Sequence, residues 1–346
     1  MDEKAVEANI RLYDSHARVQ QNLSTKKLLS AREGGDAYPL KKYHNAIKSG
    51  LLKYFAKDKD SLLDMCCGRG GDIHKWIECN VGKVVGLDIS PLEIVEAMRR
   101  YNEARKKRKT RLEASFKHVT CLGTKVLSWN TKYDVVTCMF AIHYFFVSEE
   151  SIKIFFKNVA SALKPGGHFI ATFPSGKKVL QTLNQKETFS SPMLYLRKHW
   201  KGTSPKEPFG QAFECAISDT VTKAENSKEV VGSHEYLVFF NVIQALAKEV
   251  NLHLEASYFD EDLNDLFQDA DVASGFKHFK PPFGQTKPPF SDKSEETRYS
   301  LRLASELYVA TVFKMGEETP KKEDEQGKEG EEEVSQEPDK KKQRKA

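Results

Sequence analysis

The chain has 346 residues, 39% of them hydrophobic, enough for one large α/β domain or two small ones with a real core. No apolar run reaches the roughly 18 residues a membrane helix needs, and Met1-Asp2-Glu3-Lys4 lacks the charged-then-apolar pattern of a secretory signal. The net charge of +5 is uneven: 8 Lys/Arg against 11 Asp/Glu from Glu317 onward leave a net of +8 on residues 1–316, which suits a polyanionic substrate or plain solubility.

In chain order, residues 1–36 form a polar N-terminal segment with a weak helical pattern (Val6, Ile10, Tyr13). Pro39 to Ala56 reads as an amphipathic helix with Tyr43, Ile47, Leu51 and Tyr54 on its apolar face and His44, Asn45 and Lys48 on the other. The pattern then alternates: strand 61–67, helix 71–79, strand 83–88, and a helix at 91–109 that starts at Pro91 and ends in a basic run. Strands follow near 116–121 and at 133–139, then a helix at 150–163. Lys164-Pro165-Gly166-Gly167 reads as a stop before a strand at 168–173. Such alternation predicts a mostly parallel sheet with helices on both faces.

Residues 174–234 look less regular, and Glu235–Phe240 reads as a short apolar segment leading into a helix at 241–250. A strand at 252–258, an acidic helical run at 259–272, and two copies of Lys-Pro-Pro-Phe (280–283 and 287–290) follow. The run 306–313 alternates as a last strand would. From 316 to 346 the chain is charged and of low complexity, which predicts disorder. Its Lys340–Lys345 cluster reads as a nuclear-localisation patch or as a solvated tail. The six cysteines (66, 67, 79, 121, 138 and 215) show no CxxC pair and no zinc spacing, as expected of reduced, packed thiols in the cytosol or nucleus and of a chain with no metal site.

The organising stretch is Leu62-Leu63-Asp64-Met65-Cys66-Cys67-Gly68-Arg69-Gly70-Gly71-Asp72. An apolar strand enters a glycine-rich turn and a helical pattern follows. Twenty residues beyond Gly68, a second apolar run ends in Asp88. Strand, glycine turn, helix and a strand ending in an acid describe half of a nucleotide-binding fold, with Asp88 placed to accept from both ribose hydroxyls.

These residues carry a resemblance. Asp64–Asp72 with Lys75-Trp76 resembles the cofactor loop of the mRNA cap guanine-N7 methyltransferases. Asn45-Ala46-Ile47-Lys48-Ser49, Cys138-Met139-Phe140-Ala141-Ile142-His143-Tyr144, Leu163-Lys164-Pro165-Gly166-Gly167-His168-Phe169-Ile170, Pro208-Phe209-Gly210 and Glu235-Tyr236-Leu237-Val238 are similar to further landmarks of that family, in order, over about residues 10–315. The resemblance implies a class I (Rossmann-like) α/β methyltransferase fold with seven strands, one of the last pair antiparallel. It places the cap methyltransferase domain at 37–315 and a substrate lid within 174–305.

It implies methyl transfer from S-adenosyl-L-methionine to N7 of the guanosine cap, GpppN, of mRNA, in the nucleus. The capped transcript is then the partner, with an activating subunit or other capping enzymes as further candidates. N7 carries a free lone pair and the sulfonium is an activated donor, so no catalytic nucleophile or base is expected. For the cofactor the resemblance implies Asp88 on the ribose, Lys48 on the methionine carboxylate, and Cys66 and Gly68 along the methionyl and ribose portion. Met139 and Tyr144 would sit beside the cofactor and Leu122 at the adenine. For the cap it implies His44, Asn45, Arg69, Lys75 and Arg100 as polar contacts, His143 and Tyr308 flanking the guanine, and Glu235 on its N1–H and 2-amino groups. The basic run 105–111 would carry the RNA body. Three departures stand out: Cys66 where the family has Gly or Ala, Met139 where it has Gln, and no acid near Leu122-Gly123. The readings left beside this one are a methyltransferase for another RNA or a small molecule, and a non-catalytic cap- or RNA-binding module with a decayed cofactor pocket.

Overall fold

Apolar runs between glycine and polar turns form the central strands. In this computed structural model they are β1 (Ser61–Met65), β2 (Lys83–Asp88), β3 (Glu113–His118), β4 (Tyr133–Met139) and β5 (Leu163–Pro174). With β10 (Leu252–Tyr258) and β11 (Tyr308–Met315) they make one seven-stranded sheet in the order β10-β11-β5-β4-β1-β2-β3. β1, β2, β3, β4 and β5 pair parallel to their neighbours, and β11 runs antiparallel to both β5 and β10. This is the Rossmann-like arrangement of class I methyltransferases, with its single reversed strand at 308–315. The structure describes residues 10, 11, 14, 37–217, 232–258 and 294–317. The expectations for most of 1–36, the acidic run 259–272, the Lys-Pro-Pro-Phe copies and nearly all of the tail from 316 lie outside these residues.

Helices cover both faces, and their ends follow local chemistry. α1 (Tyr38–Phe55) buries Tyr43, Ile47, Leu51 and Leu52, but Tyr54, expected on that face, is 54% exposed. At 100° per residue Leu52 and Phe55 hold the face instead. α2 (Ile73–Glu78) follows the glycine loop. α3 (Pro91–Lys107) begins at Ser90, whose hydroxyl accepts from the Glu93 N–H at 3.1 Å, with Pro91 in the first turn. α4 (Glu149–Ala162) is capped in the same way by Ser148 and buries Ile152, Phe155, Phe156 and Val159 completely.

Three boundaries differ from the sequence reading. β3 lies at 113–118, not 116–121, because its parallel register with β2 ends both strands together at Asp88 and His118. Residues 164–167 do not stop the chain before a strand; they bulge within β5. The pairing jumps from Tyr133–Leu163 to Val135–His168, and Gly166 takes φ +71° to allow it. The described parts of 174–234 hold more regular structure than expected. They hold α5 (Gly176–Leu183) and a second, antiparallel sheet of β6 (Thr188–Ser190), β7 (Leu194–Lys198), β8 (Ala212–Ile217) and β9 (Ser233–Tyr236). α6 (Phe240–Glu249) and α7 (Glu295–Glu306) follow, and a short 3-10 helix (Ile142–Val147) lies between β4 and α4.

The two sheets meet at the carboxyl ends of the central strands. Ser175, just after β5, forms a parallel bridge to Val238, just after β9, and its N–H donates to the Leu307 carbonyl beside β11. Open parallel sheets bind ligands at this end. The apolar interior beneath is close-packed: Phe169 is fully buried, with ring centroids 6.1 Å from Phe155 and Phe156 and 6.3 Å from Phe313. Phe169→Ala should cost about 3–5 kcal/mol through lost burial and the cavity left behind. Urea unfolding of the two proteins checks this; an unchanged midpoint would contradict the packing described.

Candidate active site

The loop after β1 is shaped by backbone that turns left-handed three times. Cys66, Gly68 and Gly70 have φ of +67°, +50° and +69°. Cys67 N–H donates to the Leu87 carbonyl at 2.9 Å, and Gly70 N–H to the Cys67 carbonyl at 3.1 Å. At Gly70 the φ of +69° favours glycine, and a Cβ there would also displace the end of the Ile73 side chain, 2.5 Å away. Cys66 explains one departure from the family pattern: the position is one that glycine adopts freely and a side chain adopts with strain. A hydrogen bond with Cys138, then burial, pushes its thiol well above the ordinary range.

Three buried carboxylates surround this loop, each held differently. Asp64 accepts from Thr137 Oγ1 at 2.5 Å, and burial, with Asp72 nearby, raises it to about 7. Asp72 takes Lys48 Nζ at 2.6 Å and Lys75 Nζ at 2.8 Å. Burial opposes its charge, but the two cations together outweigh it and hold the carboxyl well below the usual range. Asp88 accepts from Gly68 N–H at 2.7 Å through one oxygen and from Ser90 N–H at 2.9 Å through the other. Burial raises its pKa, and those N–H groups work against the rise. Each oxygen keeps a further lone pair, so the carboxylate is fixed in place and still able to accept two hydroxyls.

Across the strand ends lies an aromatic group. The His44 ring on α1 is 4.8 Å from both the Phe140 and Tyr308 rings, which are 5.0 Å from each other. Phe140 has φ +61°, unusual for a bulky residue, and its N–H donates to Thr172 O at 2.8 Å. Three residues on, His143 is buried with its Nε2 3.7 Å from Glu235 Oε2. Among the described residues neither His143 nitrogen, nor His44 Nε2, nor Glu235 Oε2 has a hydrogen-bond partner. Glu235 Oε1 accepts from Ser233 Oγ at 2.5 Å. Burial raises Glu235 to about 7. Burial lowers both histidines to about 3, with Lys48 adding to the effect at His44. At neutral pH both imidazoles are therefore uncharged. Buried polar atoms are normally paired, so these orphans mark where a polar ligand fits.

The family model of the mRNA (guanine-N(7))-methyltransferase domain matches residues 6–316. The chain belongs to this family. It is 31% identical over 246 residues to the mRNA cap guanine-N(7) methyltransferase 1 of Arabidopsis thaliana, covering 66% of this chain and 63% of that protein. It is 27% identical to the mRNA cap guanine-N(7) methyltransferase of Saccharomyces cerevisiae, over 68% of this chain and 56% of that one. The chain thus spans rather less than two thirds of these relatives. A solved S-adenosylmethionine-dependent methyltransferase from Clostridium acetobutylicum ATCC 824 aligns over 88% of this chain and 99% of its own, with 16% identity and a TM-score of 0.48.

Within this family member the expected site residues fall into two groups. Gly68, Cys66, Asp88 and Lys48 gather around the glycine loop; His44, His143, Glu235 and Tyr308 gather at the aromatic pocket with Phe140. Met139 is buried between them, its sulfur 3.8 Å from Thr172 Oγ1, and Tyr144 lies with its ring centroid 4.2 Å from that of His143. Leu122 is buried, and its carbonyl accepts from Asn158 Nδ2 at 2.8 Å.

Each cation named from the sequence has an acidic partner in the structure. The three donors of Lys75 reach Asp72, Asn45 Oδ1 at 2.7 Å and the Gly71 carbonyl at 3.2 Å. Arg69 pairs with Glu93 through two nitrogens, at 2.9 and 2.5 Å, and Arg100 pairs with Glu96 at 2.7 Å. Asn45 itself donates to the Lys41 carbonyl. Sequence reasoning left Asp72, Phe140, Ser233 and Asn158 without roles. Asp72 and Phe140 stand inside the motifs and could have been noticed; Ser233 and Asn158 carry no local signal. Asn158 anchors residues 122–127 by also accepting from Leu127 N–H and donating to the Lys125 carbonyl.

Lys75→Met should destabilise the fold by about 2 kcal/mol, less than for a buried charge left with no partner, because Lys48 remains on Asp72. A depressed carboxylate adds stability above its unfolded pKa and loses it as pH falls. The wild type should therefore weaken more steeply on acidification than the variant. Urea unfolding from pH 7 to pH 3 measures this, and parallel curves would contradict it.

Proposed function

We propose that this chain transfers a methyl group from S-adenosylmethionine to N7 of the guanosine cap of mRNA. The carrying observation is Glu235: a buried carboxylate oxygen without a partner, facing His143 within the family's fold. Asp88 would hold the ribose hydroxyls of the cofactor, and the backbone at Cys66 and Gly68 its methionyl side. The cofactor supplies an electrophilic methyl on a sulfonium when bound; the carboxylates of Asp64 and Asp88 suit that positive charge.

Glu235 would accept from N1–H and the 2-amino group of guanine, a two-point contact adenine does not offer. His44, Phe140 and Tyr308 would flank the base. As N7 accepts the methyl, the purine becomes cationic and its N–H donors strengthen, so Glu235 binds the transition state better than the ground state. The two neutral imidazoles add no opposing positive charge. No residue needs to remove a proton from N7. Activity in the nucleus, on capped transcripts, belongs to the same reading; the eukaryotic relatives and the Lys340–Lys345 cluster support it.

The direct test is transfer of labelled methyl to GpppA-ended RNA, followed by digestion. The expected product is m7GpppA; label elsewhere, or none, overturns the proposal. Asp88→Ala should abolish cofactor binding by calorimetry, whereas Glu235→Ala should spare it and lose cap methylation.

A pH dependence follows from Glu235. The carboxylate form accepts from guanine, and it is depleted as pH falls through about 7. The KM for capped RNA should rise between pH 8 and pH 6, and cap binding should release a proton over that range. Glu235→Gln should bind weakly and flatten the profile; a variant profile as steep as the wild type would place the titration elsewhere.

A further inference from the structure

Apart from the group around Glu235, a cavity of about 690 Å³ lies between α5 and the start of α6. Its lining carries Lys177, the amides of Gln181, Asn184, Gln185 and Asn241, and the ring of Phe239. Among the described residues that line it there is no acid. Its volume is that of a small-ligand site. One cation, several carboxamides and an aromatic ring form the donor set of a nucleotide site: the cation meets a phosphate, the ring stacks on a base, and the amides reach base edges.

The backbone fixes this cavity relative to Glu235. After β9 the chain runs extended through Leu237 and Val238, held by the bridge from Ser175, to Phe239 with φ −98° and ψ 127°. Extended chain alternates its side chains. Leu237 and Phe239 pack with the apolar group that contains Met139, Phe140 and Tyr308. Tyr236 and Val238 pack with the other group, on the opposite side. Even spacing puts Glu235 on the side of Phe239, and four residues of extended chain set the two about 13 Å apart.

The far wall is shared as well. Ser175, which lines the cavity, follows Pro174, and Pro174 pairs with Tyr308 of the aromatic pocket. Gly176 keeps that wall tight, since a Cβ there would lie 3.3 Å from Phe239 Cε1 and 2.9 Å from the Val238 carbonyl. Lys177, Gln181, Asn184, Gln185 and Asn241 are all exposed, so this is an open cleft rather than an enclosed cavity.

We infer that this cleft is the subsite for the first transcribed nucleotide, the N of GpppN, with Phe239 stacking on its base and Lys177 meeting a phosphate. The inference rests on the guanine reading of Glu235. A triphosphate bridge parts the two bases, so the second needs its own platform a short distance along the same wall, and Phe239 provides one. The amides give that platform base edges to read without demanding one base.

The test compares two methyl acceptors on the full chain: GTP, which has guanine and triphosphate but no following nucleotide, and GpppA-ended RNA. Phe239→Ala should leave KM for GTP unchanged and raise KM for the RNA about tenfold, within the range of one lost base–aromatic stack. Lys177→Glu, at an exposed position, should shift the RNA KM in the same direction. Phe239 also packs on Gly176, so if Phe239→Ala melts early and loses activity with both acceptors, Lys177→Glu decides. A wild type active on both, with the ratio of the two KM values unchanged in the deciding variant, overturns this inference alone. A wild type that methylates neither overturns the guanine reading and this inference with it.

Discussion

The carboxylate of Asp72, buried between Lys48 and Lys75, is the interaction on which the site's arrangement depends. A lone buried carboxylate would be costly, and one cation would leave a lone pair and half the field uncompensated. Here Lys48 comes from the middle of α1 and Lys75 from the first turn of α2, and Lys75 continues to Asn45, back on α1. The result is a closed polar ring, Asn45–Lys75–Asp72–Lys48, that pins α1 to the glycine loop. His44 stands next to Asn45 in the chain. The ring that orders the loop around Gly68 therefore also sets the His44 imidazole against Phe140 and Tyr308. The glycine loop and the aromatic group are thus tied to one set of charges.

The parts of this plan legible in the sequence are those written locally. The apolar run into the glycines, the twenty-residue step to Asp88 and the alternating last strand each follow from periodicity and backbone chemistry, and the central sheet carries them where expected. The second sheet was hidden because its strands are three to six residues long and their burial is mixed. Its apolar positions are covered mainly by elements distant in sequence, which leaves no period to read. The bulge at 164–167 was read as a stop because Pro and Gly serve both purposes; the register with β4 decides between them.

The cations show the limit most clearly. Lys75, Arg69 and Arg100 are indistinguishable from solvent-facing charges in the sequence. Lys75 becomes a buried bracket through Asn45, thirty residues before it, and Asp72; Arg69 closes on Glu93, twenty-four residues later. Charge type is local, but charge partner is tertiary. The same holds for Glu235, whose site role is implied by the family resemblance and whose enclosure is not. Its raised pKa comes from enclosure by elements that the sequence does not announce.

That enclosure gives the site a consistent electrostatic logic. On the proposed reading, methylating N7 would turn a neutral base into a cation, so the pocket would have to tolerate positive charge while binding a triphosphate nearby. Burial strips the proton from His44 and His143, and Asp72 neutralises the lysines closest to the aromatic group. Glu235 keeps the opposite bias: burial raises it to about 7, and on the proposed reading donors from a guanine would favour its charged form, so that charge would appear together with the ligand. Cations that could meet phosphate are thereby displaced from the base to the rim, where Lys177 stands beside Phe239. On that reading, carboxylate would stand against the base and cation against the chain that follows it.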